Sequence, residues 1–142
     1  MIIFAVDYGD VRTGMAVCDK GEILASPVGV LTQNWQPKLI EALKVKIAES
    51  RAQLVVVGLP VNMDGTKGER AQKCRDFAEA LEAELDGIPV KLWDERLTTV
   101  SAHRALNEVN VRGAKRKAVV DAVSAVMILE DYLAARKNGR VE

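Results

Sequence analysis

An α/β domain carrying a mixed sheet is the architecture this sequence predicts, on two observations. The chain opens with three short β-like runs, Ile2–Val6, Gly14–Asp19 and Glu22–Leu31, spaced closely enough to form a meander. The pattern then alternates between amphipathic helical spacing and short apolar runs, the order of elements that gives strands flanked by helices. With 142 residues, 49% of them hydrophobic, the chain has the size of one domain, 1–142, and apolar material for a core without staples.

Each element has its own signal. The first two strands join through a turn from Gly9 to Thr13, where glycine and charge interrupt the apolar runs. Leu39, Ile40, Leu43 and Ile47 recur at helical spacing between Pro37 and Arg51, and Pro37 suits a first helical turn. Leu54-Val55-Val56-Val57, ended by Gly58 and Pro60, reads as a strand buried on both faces. After a loop from Val61 to Gly68, the residues Ala71, Cys74, Phe77, Ala78, Leu81 and Leu85 mark a second helix, stopped near Gly87 and Pro89. Val90–Trp93 is the fifth strand, with Asp94-Glu95 at its carboxyl end. Thr98 and Thr99 suit the N-cap of a helix reaching Leu106, and the polar, basic stretch from Asn107 to Lys117 reads as a loop. A last helix, Lys117 to Arg136, aligns Asp121, Ala125, Ile128 and Tyr132 on one face.

Composition narrows the function. Lys+Arg and Asp+Glu both number 20, so no overall field draws the chain to polyanions and any such site must be local. No stretch approaches the roughly 18 apolar residues of a membrane span, and the start lacks a basic signal-like region. The expectation is a cytoplasmic protein with no membrane partner. Cys18 and Cys74 read as buried free thiols and His103 as a helix-surface residue. Chemistry is carried by three acidic motifs, Asp7-Tyr8-Gly9, Asp94-Glu95-Arg96 and Asp121-Ala122, each set against core secondary structure. Carboxylates gathered from distant sequence suit divalent, oxygen-loving cations, and phosphodiester hydrolysis is the chemistry that most often needs them.

These residues resemble the YqgF-type family of Holliday-junction resolvases, also described as pre-16S rRNA nucleases, in the ribonuclease H-like superfamily. The resemblance spans nearly the whole chain. It rests on Asp7-Tyr8-Gly9 with Arg12 and Gly14; Val57-Gly58-Leu59-Pro60 with Asn62-Met63-Asp64-Gly65-Thr66; Asp94-Glu95-Arg96-Leu97-Thr98-Thr99; and Asp121-Ala122 with Ala125, Ile128, Leu129 and Leu133. It implies a five-stranded mixed sheet in the order 3-2-1-4-5 flanked by helices, with Asp7, Glu95 and Asp121 as catalytic metal ligands for one or two Mg2+ or Mn2+ ions. One departure stands out: many nucleases of the superfamily carry a carboxylate on strand four, where this chain has Gly58-Leu59-Pro60.

Alternatives stay open at each position. Asp7 before Tyr8-Gly9 also suits a turn former, Glu95 an ion pair with Arg96 or a helix-start charge, and Asp121 an acid in a first helical turn. Asp94 and Glu95 can trade roles, because strand ends bend. Gly9 and Gly14 let backbone approach a phosphate or simply permit a tight turn. Arg12 contacts a phosphate oxygen or is a solvated turn residue, and Arg96 contacts substrate or steadies the carboxylates. Asn62 and Thr66, in the loop from Asn62 to Gly68, are candidate phosphate hydrogen-bonders on a substrate-facing lip or belong to an ordinary surface turn. Arg112, Lys115, Arg116 and Lys117 form a local basic cluster that would neutralise phosphates or is simply a solvated basic loop before a helix.

The leading reading is a metal-dependent nuclease on structured RNA, at a ribosomal RNA precursor end. Junction resolution on branched DNA is the runner-up, and it normally implies a dimer; the sequence marks no dimer helix, so a monomer or weak homodimer is expected. A non-catalytic nucleic-acid-binding module is the reading from another class. An actin-like phosphohydrolase shares the Asp-x-Gly turn, yet uses a longer, two-domain chain.

Overall fold

The computed structural model describes residues 1–60, 68–95 and 114–139, with side chains from 122 onward in the last segment. Five strands, β1 (Ile3–Asp7), β2 (Arg12–Cys18), β3 (Ala25–Thr32), β4 (Leu54–Leu59) and β5 (Val90–Asp94), form one sheet in the order β3-β2-β1-β4-β5. β1–β2 and β2–β3 are antiparallel, while β1–β4 and β4–β5 are parallel. Among the described residues three helices accompany it: α1 (Gln36–Ser50), α2 (Glu69–Glu84) and α3 (Ala114–Lys137). The mixed order expected from the resemblance is the order observed.

The sheet is covered on both faces, which is why β1 and β4 are apolar at nearly every position rather than alternating. On one face Ile3, Ala5, Ala16, Leu54, Val56 and Trp93 pack against Ala125, Ile128, Leu129 and Tyr132 of α3. On the other, Phe4, Val6, Met15, Val55 and Val57 pack against α1 residues Leu39, Ile40, Leu43 and Ile47 and α2 residues Phe77, Ala78 and Leu81. Strand alternation thus decides which side chain serves which helix layer. No helix among the described residues is long and apolar enough to cross a membrane.

Several expected boundaries move. β2 starts at Arg12 rather than Gly14, so Arg12 is a strand residue paired with Thr32 and not part of a turn. β3 starts at Ala25 rather than Glu22, because the Asp19 carboxylate accepts the backbone N–H groups of Ile23 and Leu24 and ties residues 19–24 into a turn. β4 continues through Gly58 to Leu59, since Gly58 pairs with Trp93 and Leu59 with Asp94. α3 begins at Ala114, so Lys115, Arg116 and Lys117 lie in its first turn instead of a preceding loop. The expected helix from Thr98 to Leu106, with His103, lies outside the described residues.

Candidate active site at the carboxyl edge of the sheet

Asp7 closes β1 at the centre of the sheet, and alternation from Ile3 and Ala5 sets it on the α3 face. It is 8% exposed. One step beyond the Val6–Val57 pair lies Gly58 on β4, which in turn pairs with Trp93, two residues before Glu95. Glu95 is 2% exposed. A Cβ built on Gly58 would stand 3.3 Å from the Glu95 carboxyl carbon and 3.4 Å from its Oε2. The strand-four glycine is therefore the floor on which the strand-five carboxylate rests. Asp7 and Glu95 line one cavity of about 140 Å3 together with Tyr8, Gly9, Arg12, Gly58, Pro60, Arg70 and Cys74.

The turn after Asp7 is held from α2. Arg70 Nη1 donates to Asp10 Oδ1 at 2.8 Å, and its Nη2 donates to the Tyr8 carbonyl oxygen. Its guanidinium also lies 5.1 Å from the Tyr8 ring centroid, while the ring stacks on Phe77 at 4.1 Å with planes 3° apart. Burial raises the Tyr8 phenol above its usual range, with Arg70 pulling the other way. Gly9 is required by this turn, because a Cβ there would meet the Arg12 carbonyl oxygen at 2.0 Å.

The structure brings Asp7, Gly9, Arg12 and Glu95 into one cavity. Asp94 is half-buried and is not among the lining residues. Position 121 lies seven residues into α3 and so is not in a first turn; its side chain, like those of Lys115, Arg116 and Lys117, is outside the described residues. Asn62, Thr66, Arg96 and Arg112 are outside them as well. Arg70 and Cys74 were not foreseen as site residues. The signal was present: 70, 74 and 77 have i, i+4, i+7 spacing, and the last two already read as the inward face of α2.

The donor set fits a hard divalent cation. Two buried carboxylates lining one small cavity match the one or two carboxylates by which Mg2+ is usually held while keeping several waters. Among the described residues no group of three His, Cys, Asp or Glu side chains gathers as a metal cluster, so Asp7 and Glu95 are the described pair.

Sheet order and edge cavity together define an α/β domain with the Holliday-junction-resolvase fold. It is shared with Thermus thermophilus RuvC in complex with Holliday junction substrate (TM-score 0.61, 15% identity, 96% of each chain). The fowlpox virus Holliday junction resolvase shares it too (TM-score 0.53, 12% identity, 95% of this chain and 99% of that one). The chain belongs to the family described as RuvX, Holliday junction resolvase, whose model matches residues 1–135. Relatives named "Putative pre-16S rRNA nuclease" are 44% identical over 133 residues in Halothermothrix orenii, covering 94% of each chain. In Desulfitobacterium hafniense identity is 44% over 142 residues, covering 99% of this chain and 98% of the relative.

Proposed function

We propose that this protein is a metal-dependent nuclease that cleaves structured RNA at the 5′ end of a 16S ribosomal RNA precursor. The observation that carries the reading is the seating of Glu95 over Gly58, beside Asp7, in one cavity at the strand ends. Relatives 44% identical over almost the whole chain carry the pre-16S nuclease name, which favours RNA as substrate. Junction DNA is the second reading, favoured by the family description and by the junction-bound structure sharing the fold. A purely binding role fits poorly, because buried carboxylates repel a phosphate unless a cation bridges them.

Asp7 and Glu95, with Asp121, would hold Mg2+ or Mn2+. Such an ion supplies Lewis-acid stabilisation of charge developing on the phosphate and lowers the pKa of bound water. Arg12 lines the same cavity and would pair with a non-bridging phosphate oxygen. Arg96, Asn62 and Thr66 would contact the substrate at the rim, and Arg112, Lys115, Arg116 and Lys117 would neutralise flanking phosphates and make binding salt-dependent. A monomer or weak homodimer working in the cytoplasm completes the reading.

The test is cleavage of a precursor 16S rRNA 5′ end and of a four-way DNA junction, with Mg2+ or Mn2+, by wild type, Asp7→Asn and Glu95→Gln. RNA cleavage lost in both variants is expected. Junction cleavage alone would replace the substrate assignment, and silence on both substrates with binding intact would remove the enzymatic one.

A further inference from the structure

The chain has two Trp, two Tyr and two Phe. Phe4, Phe77, Trp93 and Tyr132 are buried, and Tyr8 is half-buried and stacked on Phe77. Trp35 is different: it is 58% exposed. It also occupies a position where local physics asks for something else. Trp35 is the N-cap of α1 and makes no side-chain capping bond, although that position favours Ser, Thr, Asp or Asn. An exposed indole that neither caps its helix nor enters a core is a broken local rule, and such breaks mark functional surface.

Its location supplies the function. β3 runs parallel to β1, since both are antiparallel to β2, so the chain leaves β3 at the edge of the sheet where Asp7 ends β1. Asp7 pairs with Gly14, and Gly14 with Val30, which places Val30 two strand spacings, about 10 Å, from Asp7. Arg12, which lines the carboxylate cavity, pairs with Thr32, and the Gln33 N–H donates to the Val11 carbonyl at 3.0 Å. The route from cavity to Trp35 thus crosses Arg12 and the exposed Val11. Lys38 Nζ lies 5.8 Å from the Trp35 ring centroid, and the first turn of α1 holds no acid.

We infer that Trp35, with Lys38 and Arg12, forms a stacking platform for a single-stranded nucleic-acid segment flanking the scissile phosphate. The inference rests on the nuclease reading above and adds what lies next to the cut. An aromatic face beside cations binds unpaired bases without regard to sequence. A fully paired flank would offer the indole no base face.

The experiment is titration of the full-length protein, in EDTA, with a 12-nucleotide RNA, a DNA of the same sequence and a blunt duplex, reading tryptophan emission and Kd. Either single strand quenches the exposed Trp35, and the better quencher names the sugar; the duplex has little effect. Trp35→Phe abolishes the quench, since Trp93 is buried, yet keeps most of the affinity. Trp35→Ala weakens single-strand binding about tenfold, within the range of one base–aromatic stack. On a substrate with an unpaired flank it raises KM by a similar factor with kcat within about twofold. Wild-type cleavage and binding with an indifferent Trp35→Ala would overturn this inference alone, as would a Trp35→Ala effect confined to self-association. A wild type that binds and cleaves no nucleic acid would overturn the nuclease reading and this one together.

Discussion

Glu95 lies over Gly58: the carboxyl group of one sits 3.3 Å from where the other's Cβ would be, and Ile128 Cδ1 sits 2.6 Å from the same point. A strand-four side chain would crowd both the Ile128 tip and the Glu95 carboxyl group, so glycine at position 58 leaves Glu95 its seat. Gly58→Ala should cut cleavage at least tenfold and destabilise the fold by about 1–2 kcal/mol through overpacking. Adding Ile128→Val removes the nearer clash, so the double variant should be less destabilised than the two single costs combined, while activity stays low. Denaturant unfolding and single-turnover cleavage of the four proteins measure this; full activity in Gly58→Ala would dismiss the seat.

If Asp7 and Glu95 hold a cation, the cation must stabilise the folded chain. At a hundredfold excess over Kd, linkage gives about 2.7 kcal/mol, a rise of roughly 5–10 °C in Tm for a domain of this size. Asp7→Asn and Glu95→Gln should erase the Mn2+-dependent rise while folding normally in EDTA. Asp121→Asn asks the same question of the third carboxylate and should shrink the rise. Equal Mn2+ shifts in all four proteins would exclude these side chains as ligands.

Arg70 reaches the Tyr8–Asp10 turn from α2 through Asp10, the Tyr8 carbonyl and the Tyr8 ring. Its ion pair is partly exposed and contributes little by itself. Arg70→Ala should therefore cost only about 1 kcal/mol in stability but lower kcat about tenfold, by loosening the turn that carries Gly9 and leads to Arg12, a displacement of the kind that costs rate out of proportion to stability. Arg70→Lys should recover little, because an ammonium lacks the planar fork that reaches both oxygens. Unchanged kcat in Arg70→Ala, measured by steady-state kinetics, would reduce Arg70 to a surface residue.

The sheet was legible because its signals are local. Apolar runs at Ile2–Val6 and Leu54–Val57 need no partner to be recognised, and the i, i+1, i+4, i+8 spacing of Leu39, Ile40, Leu43 and Ile47 needs only the next turns. The boundaries that move depend on neighbours the local pattern does not contain. Gly58 reads as a strand end, yet it continues β4 because its backbone pairs with Trp93 of β5. Lys115-Arg116-Lys117 looked like a loop, yet helices accept Lys and Arg readily. Arg70 stayed hidden because the turn it binds is 60 residues away in sequence, a pairing that periodicity does not carry. The strand order came from the resemblance, since local patterns do not specify which strands become neighbours.

Far from the cavity, Glu22 ties the β2–β3 turn to the end of α3, and its chemistry predicts a pH dependence. Its carboxylate accepts from Arg136 Nε at 2.7 Å and from the N-terminal ammonium at 3.1 Å. It sits at φ 57°, in the left-handed region that glutamate seldom adopts. The hydrogen bond from Arg136 is the main cause that holds the Glu22 carboxyl below its usual value of 4.5. A depressed carboxyl pKa means that the unfolded chain takes up the proton first, so the stabilisation is complete above about pH 4.5 and is lost as pH falls through the lower folded value. Glu22→Gln should therefore destabilise by about 1 kcal/mol at pH 7, a magnitude set by a partly exposed charge-assisted pair. The deficit should shrink as pH falls below about 4.5 and close once the carboxyl is protonated in the folded wild type too, when both proteins are neutral at this position. Glu22→Gly should lose the same pair yet regain part of the deficit, because glycine takes the left-handed conformation without strain. Urea unfolding of the three proteins at pH 7, 5 and 3 decides the matter: a gap between wild type and Glu22→Gln that stays constant with pH would assign the effect to side-chain packing instead of charge.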